Sequence, residues 1–173
     1  MTNNIELARK IDKAVFPMLQ GGPLEHIIAA KAVAFGEAMK PEFKKYIRNV
    51  LDNMKCFAKT LMSYDFDLVT GGTDNHLILV DLRNKSLTGK DFQDRLGKAG
   101  MTVNKNGVPG DPLSPQVTSG IRVGTAALTT RGMGLKEMQR IAELFHKVSE
   151  NMADEKKLKE IKKEVGAMIK KFP

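Results

Sequence analysis

The chain has 173 residues, of which 42% are hydrophobic, and a formal net charge of +8. This length allows one sizeable core, or a domain with an appendage, and the composition is ordinary for a globular protein. No apolar run approaches the roughly 20 residues that a membrane-spanning helix needs. Cys56 is the single cysteine, which excludes an internal disulfide and fits a reducing compartment.

The excess of positive charge leaves two interpretations open. One is a lysine-rich surface exposed to solvent, and the other is a patch that binds nucleic acid. With no Trp and two Tyr, the chain has few aromatic side chains that could stack on bases, so the composition favours the first interpretation. A stand-alone binding domain, with RNA as a possible ligand class, remains an alternative function.

The first 64 residues have the apolar spacing of helices. We predict a short helix from Ile5 to about Val15, capped by Asn4, and then a turn at Phe16–Pro23. The next helix, Leu24–Lys40, is apolar enough to be mostly buried. A long amphipathic helix follows from Pro41 to about Tyr64.

After Tyr64 the spacing changes to that of a mixed α and β segment. We predict strands at Phe66–Thr70, His76–Leu82, Met101–Asn104 and Gly120–Gly124. We predict helices at Thr88–Ala99, Leu135–Ser149 and Asp154–Phe172. The unbroken apolar run in the second strand predicts a central strand covered on both faces. This order predicts an α+β fold with a small, mostly antiparallel sheet, and a domain division into residues 1–64 and 65–173.

The segment from Val103 to Thr125 is the clearest candidate for a binding site. Prolines and glycines give it a rigid loop of a length that is uncommon in compact domains unless it binds something. The loop leads to Arg122, which strand alternation places on the face opposite Ile121 and Val123. A guanidinium there suits a bidentate contact with a carboxylate or phosphate, although a surface ion pair is the other interpretation.

A second candidate is the turn Gly21-Gly22-Pro23, which precedes a predicted helix. Backbone N–H groups at a helix start, beside paired glycines, can bind an anion. A plain turn is the alternative. No metal site is expected, because the histidines at positions 26, 76 and 146 lack ligand spacing.

These stretches together resemble the carboxy-terminal part of serine hydroxymethyltransferases, pyridoxal-phosphate enzymes of the aspartate-aminotransferase fold type. The matching segments, in the family's order, are Ala14-Val15-Phe16-Pro17, Gln20-Gly21-Gly22-Pro23, Gly71-Gly72-Thr73-Asp74-Asn75-His76, Val103-Asn104-Lys105-Asn106 and Val117-Thr118-Ser119-Gly120-Ile121-Arg122-Val123-Gly124-Thr125. The family's Thr-Thr-His-Lys-Thr segment, whose lysine forms the Schiff base, does not occur here. We therefore expect a fragment of somewhat under half a subunit, without a catalytic residue and inactive alone.

The resemblance also implies roles for individual residues. Arg122 would bind the α-carboxylate of serine or glycine, and Gly21 and Gly22 would contact the cofactor phosphate across the subunit interface. Asn106 would contact the pterin ring of tetrahydrofolate. The remaining implied folate contacts are Ser114, Pro115, Gln116 and Phe16, with packing as an alternative role for Phe16. Gln116 stands where the family often has an aromatic residue.

The implied whole protein is a cytoplasmic homodimer, or a higher homo-oligomer, of one-carbon metabolism. It would interconvert serine and glycine with tetrahydrofolate as the carbon carrier. An aminotransferase of the same fold type is an alternative, against which Asn104-Lys105-Asn106 and the folate loop argue. The helices before Tyr64 would pack on the large domain and the partner subunit, so we expect them to be exposed in this chain alone.

Overall fold

The structure is a computed structural model that describes residues 2–172. Its contacts divide the chain into an amino-terminal unit that ends at Phe43 and a carboxy-terminal unit that begins at Lys44. This boundary falls inside the long third helix rather than at its end. The division of the whole protein at about Tyr64 stays a prediction.

The amino-terminal unit contains two helices and a kinked turn between them. Helix α1 spans Ile5–Lys13. Asn4 caps it, as predicted, because its Oδ1 accepts a hydrogen bond from the Leu7 N–H at 3.0 Å. A π-helical segment, Ala14–Leu19, follows and is interrupted by the extended backbone of Phe16. Helix α2 spans Glu25–Ala38.

Helix α2 exposes apolar side chains on all sides. Ile28 is 51% exposed and Phe35 is 67% exposed, and no residue of the helix is buried. The prediction that this helix is mostly buried is therefore wrong for the chain taken alone. The companion expectation, that the first helices are exposed in this chain, is confirmed for α1 and α2.

Helix α3, Pro41–Ser63, behaves differently because one of its faces belongs to the core of the carboxy-terminal unit. Val50, Met54, Phe57 and Leu61 recur at helical spacing and are almost fully buried. The Phe57 ring meets that of Phe145 edge to face, with 5.4 Å between the centroids. The expectation that every helix before Tyr64 is exposed is therefore wrong for α3.

The carboxy-terminal unit contains a four-stranded sheet in the order β1-β2-β4-β3, and all of its pairs are antiparallel. The strands are β1 Asp67–Leu68, β2 Leu77–Asp81, β3 Asn104–Asn106 and β4 Gly120–Gly124. The α+β prediction is confirmed, and β4 has the predicted bounds.

Two predictions about the strands are wrong. Strand β2 is central, but burial alternates along it, with Ile78 and Val80 buried and Leu77 and Leu79 only half-buried. Among the described residues the strand is therefore fully covered on one face, and not on both faces as predicted. Strand β3 was predicted at Met101–Asn104 but spans Asn104–Asn106. Met101 and Val103 bury their side chains in the core, which gave the alternation of a strand, but the pairing with β4 begins only at Asn104.

Helices cover the buried face of the sheet. They are α4 Gly89–Lys98, α5 Ala126–Thr130, α6 Leu135–Glu150 and α7 Glu155–Ile169, of which α5 was not predicted. The Thr88 hydroxyl oxygen caps α4 by accepting from the Asp91 N–H at 3.0 Å, and Gly100 follows the helix with a φ of +84°. Across the chain from residue 2 to 172, no helix combines the length and apolarity needed to cross a membrane.

A matched pair of glycines in α4 tests this packing. A Cβ at Gly89 would lie closer than 3.0 Å to the Gly120 carbonyl oxygen and the Thr118 hydroxyl, whereas a Cβ at Gly97 has nothing within 4 Å. We expect Gly89→Ala to destabilise the chain by about 1–3 kcal/mol, because the helix must move away from the sheet. Gly97→Ala should be neutral or stabilise by up to about 1 kcal/mol. Urea unfolding measures both, and equal effects would contradict the close approach.

Candidate functional site

Strand β4 presents Arg122 on the open face of the sheet. Arg122 lies opposite Leu79 of β2 and opposite Asn104 of β3. Its neighbour Ile121 is fully buried on the other face, while the Arg122 side chain is exposed. The alternation predicted from the sequence is therefore observed for this pair.

The Arg122 guanidinium has no ionic partner in the part of the chain that the structure describes. It forms neither a hydrogen bond nor an ion pair with residues 2–172, and it borders a depression of about 400 Å³. The same depression is bordered by His76, Thr102 and Asn104. An uncompensated guanidinium in a concave surface is suited to bind a carboxylate or phosphate through two parallel hydrogen bonds.

Strand β3 places Asn106 on the same face as Asn104, since side chains two residues apart in a strand point the same way. Asn106 lies opposite Gly120 and is half-buried. Its amide nitrogen donates to the Gly107 carbonyl at 2.8 Å. The amide oxygen accepts no hydrogen bond from any described residue and remains available to a ligand.

The loop between β3 and β4 carries the other predicted folate contacts. Ser114, Pro115 and Gln116 are all exposed. The Lys105 ammonium donates to the Pro115 carbonyl at 3.2 Å, which ties the loop to β3. The structure thus places Arg122, Asn106 and the loop residues in the carboxy-terminal unit.

One carboxylate organises this loop, and the sequence alone did not reveal it. Asp111 Oδ2 accepts from the N–H groups of Val108 at 3.1 Å and Ser119 at 2.8 Å. Its Oδ1 accepts from the Leu113 N–H at 3.0 Å and from the Ser119 hydroxyl at 2.7 Å. These bonds, led by the one from the Ser119 hydroxyl and followed by the one from the Leu113 N–H, hold the pKa of Asp111 well below its usual range.

Only a weak signal in the sequence points to Asp111. Aspartate between glycine and proline is an ordinary turn former whose side chain accepts from nearby backbone N–H groups.

Thr118, the residue before the Asp111 partner Ser119, has a φ of +60°. That conformation is rare for a β-branched residue and costs about 1–3 kcal/mol, so the surrounding contacts must enforce it.

The amino-terminal unit carries the predicted phosphate contacts. Gly21 and Gly22 lie between the π-helical segment and α2, and a Cβ at either position would have nothing within 4 Å. Their N–H groups bond to no described residue. Two free backbone donors in an open turn fit the oxygens of a phosphate such as that of pyridoxal phosphate. Phe16, in the preceding turn, is 63% exposed.

The three histidines lie in different surroundings. His26 and His76 are exposed, and the His146 ring stacks on Tyr64 with 4.5 Å between the centroids. Within residues 2–172, no group of three His, Cys, Asp or Glu side chains is placed to hold a metal ion.

The comparisons with known proteins agree with the motifs. The sequence model of the serine hydroxymethyltransferase family matches residues 2–145. The chain belongs to this family. It is 56% identical over 173 residues to a serine hydroxymethyltransferase of Wolinella succinogenes, and 52% identical over 179 aligned residues to one of Methylobacterium sp. (strain 4-46).

Both alignments cover the whole chain but only 42% and 41% of the relatives' lengths, so the chain spans about two fifths of each. The predicted resemblance to the carboxy-terminal part of serine hydroxymethyltransferases is confirmed. The predicted fold class, the α+β part of an aspartate-aminotransferase-type protein, is confirmed with it.

The low pKa of Asp111 predicts a pH dependence of stability. A carboxyl whose pKa falls on folding stabilises the protein fully above its unfolded pKa of about 3.9, and this contribution is lost as the pH falls below that value. We expect Asp111→Asn to lower the melting temperature at pH 7 and to flatten its fall between about pH 4 and 2. The control is Asp94→Asn in α4, where the aspartate is exposed and its carboxylate accepts no hydrogen bond from another described side chain. Parallel profiles of melting temperature against pH for wild type and Asp111→Asn would contradict a stabilising role of the hydrogen bonds to the Asp111 carboxylate.

Proposed function

We propose that this chain is the carboxy-terminal part of a pyridoxal-phosphate-dependent glycine hydroxymethyltransferase. The whole enzyme transfers the hydroxymethyl carbon of serine to tetrahydrofolate and leaves glycine. Family membership supports the reaction class. The observation that carries the proposal is Arg122, an uncompensated guanidinium on the open sheet face, beside the strand of Asn106.

Arg122 acts as the clamp for the α-carboxylate of serine or glycine. Its planar fork can form two parallel hydrogen bonds with a carboxylate, which fixes the rotation of the amino acid as well as its position. Fixed rotation matters because the bond to be cleaved must stand perpendicular to the π system of the cofactor. Pyridoxal phosphate, when bound, supplies the electron sink for that cleavage.

The loop and β3 form part of the folate site. Asn106 offers an amide oxygen with no partner among the described residues, and a pterin ring presents both donors and acceptors. Ser114, Pro115 and Gln116 form the exposed wall beside it. Gln116 contributes a polar side chain to this wall where an aromatic residue is common in the family.

The amino-terminal unit serves the neighbouring subunit. Gly21 and Gly22 donate backbone N–H groups to the cofactor phosphate across the interface, and Phe16 lines the neighbour's folate site. The support is the open turn and the exposed apolar surface of α2. An apolar surface of this kind normally meets a partner, so the working enzyme is a homodimer or a higher homo-oligomer. The single cysteine of this chain suits the reducing cytoplasm that we propose as the location.

Arg122→Lys in the whole enzyme tests the clamp. Lysine keeps the charge but loses the planar fork, so we expect serine and glycine binding to weaken by about 2 kcal/mol or more. Isothermal titration with glycine measures the loss. The matched control is Arg95→Lys, since Arg95 pairs with Glu155 at 2.5 Å and lies outside the site. Unchanged glycine affinity in Arg122→Lys would remove Arg122 from the site.

The chain alone is proposed to be inactive, because the lysine segment that anchors the cofactor in this family does not occur in its sequence. We expect no glycine formation when the purified chain is mixed with pyridoxal phosphate, serine and tetrahydrofolate. We also expect self-association, because the apolar side chains of α2 are exposed. Amino-acid analysis of the mixture measures glycine formation, and light scattering measures the mass of the chain in solution. Serine turnover by the chain would contradict the first expectation, and a strict monomer the second.

A further inference from the structure

We propose that Asp111 is a positioning residue for tetrahydrofolate: its carboxylate fixes the backbone from Leu113 to Gln116 without touching either substrate. This inference rests on the function proposed above, and it adds a residue that the family motifs did not single out. It concerns one substrate of the reaction only. Serine binding at Arg122 is set by other contacts.

The hydrogen bonds of the loop converge on Asp111. One carboxylate oxygen accepts from both ends of the loop, at the N–H groups of Val108 and Ser119. The other accepts from Leu113 in the middle and from the Ser119 hydroxyl. The prolines of the loop, at positions 109, 112 and 115, have no N–H to donate. Other backbone bonds hold the two ends of this segment, at Val108 and from Ser114 to Thr118, but among the described residues the Leu113 N–H bonds to Asp111 alone.

The bond to Leu113 determines where the folate wall lies. The Leu113 side chain is 40% exposed, so packing does not fix this residue firmly. Ser114 comes next, and its carbonyl accepts from the N–H groups of Val117 and Thr118, both at 2.9 Å. The far end of this turn is held by the N–H groups of Gly89 and Lys90, which donate to the Thr118 and Val117 carbonyls. A displacement of Leu113 therefore acts on the near end, at Ser114 and the adjoining Pro115 and Gln116.

Arg122 is held independently of this loop. Strand β4 pairs with β2 over five residue pairs from Gly120 to Gly124. The register places Arg122 opposite Leu79 whether or not Asp111 accepts its hydrogen bonds. Loss of the Asp111 carboxylate should therefore affect the two substrates differently. Tetrahydrofolate should bind more weakly, while the affinity for serine should persist.

Asparagine at this position removes a defined part of the clamp. Its amide oxygen can still accept from Val108 and Ser119, and its amide nitrogen can donate to the Ser119 hydroxyl oxygen. The Leu113 N–H would then face a donor and lose its partner. Asp111→Asn is thus nearly isosteric, and its local effect is centred on the residue before Ser114.

The experiment compares steady-state kinetics of the whole enzyme with and without this substitution. We expect Asp111→Asn to raise the KM for tetrahydrofolate about tenfold, which is the effect expected for one lost hydrogen bond to a charged acceptor. The glycine dissociation constant without folate should change by less than about twofold. Hydrogen exchange should show faster exchange at Leu113 and no change in β4. Ser119→Ala, which removes one of the four bonds, should give a smaller rise in the same KM.

The control is Asp94→Asn, the same chemical change at an exposed residue of α4, for which both constants should stay at wild-type values. An unchanged KM for tetrahydrofolate in Asp111→Asn would overturn the inference while leaving the proposed function intact. An equal loss of glycine affinity would also overturn it, because the effect would then be general unfolding of the site. A wild-type enzyme without hydroxymethyl transfer would overturn the proposed function and this inference with it.

Discussion

The pairing of β2 with β4 is the constraint on which the candidate site depends. Burial of Val80 and Ile121, which lie opposite each other, commits one face of the ladder to the core. Arg122 must then lie on the other face, and a shift of one residue would bury its charge and expose Ile121. Gly120 maintains the register, because a Cβ there would lie 2.6 Å from both the Val80 carbonyl oxygen and the Val108 side chain.

The loop before β4 depends on a different kind of constraint. Its prolines remove backbone donors, so a ladder cannot stabilise it, and a side-chain carboxylate gathers the donors that remain. Thr118, in a left-handed conformation, connects this cluster to the first residues of β4. The fold thus joins a strand that is fixed by its register to a loop in which one carboxylate accepts four hydrogen bonds.

Local signals in the sequence were enough to predict much of this architecture. The caps at Asn4 and Thr88 depend on residues three positions away, and the structure contains both bonds. The long helix α3 and the strand β4 follow from apolar spacing and from flanking glycines, and both were predicted closely. The side of β4 on which Arg122 lies follows from strand alternation alone.

The remaining features depend on contacts that the sequence does not indicate. An apolar run predicts a buried element, but it does not tell whether the covering surface belongs to the same chain, as β2 and α2 illustrate. Met101 and Val103 alternate like a strand because their side chains enter the core, although their backbone forms no ladder. Asp111 was missed because its partners are distributed from Val108 to Ser119 and meet only in the folded loop.

The proposed site is tested most directly by a crystal structure of the whole enzyme with pyridoxal phosphate, glycine and a reduced folate. We expect the glycine carboxylate to accept two hydrogen bonds from the Arg122 guanidinium. We also expect the pterin ring to lie against Asn106 and the loop from Ser114 to Gln116, with Asp111 still bonded to Leu113. A glycine carboxylate bound elsewhere, with Arg122 facing solvent, would contradict the assignment of the site.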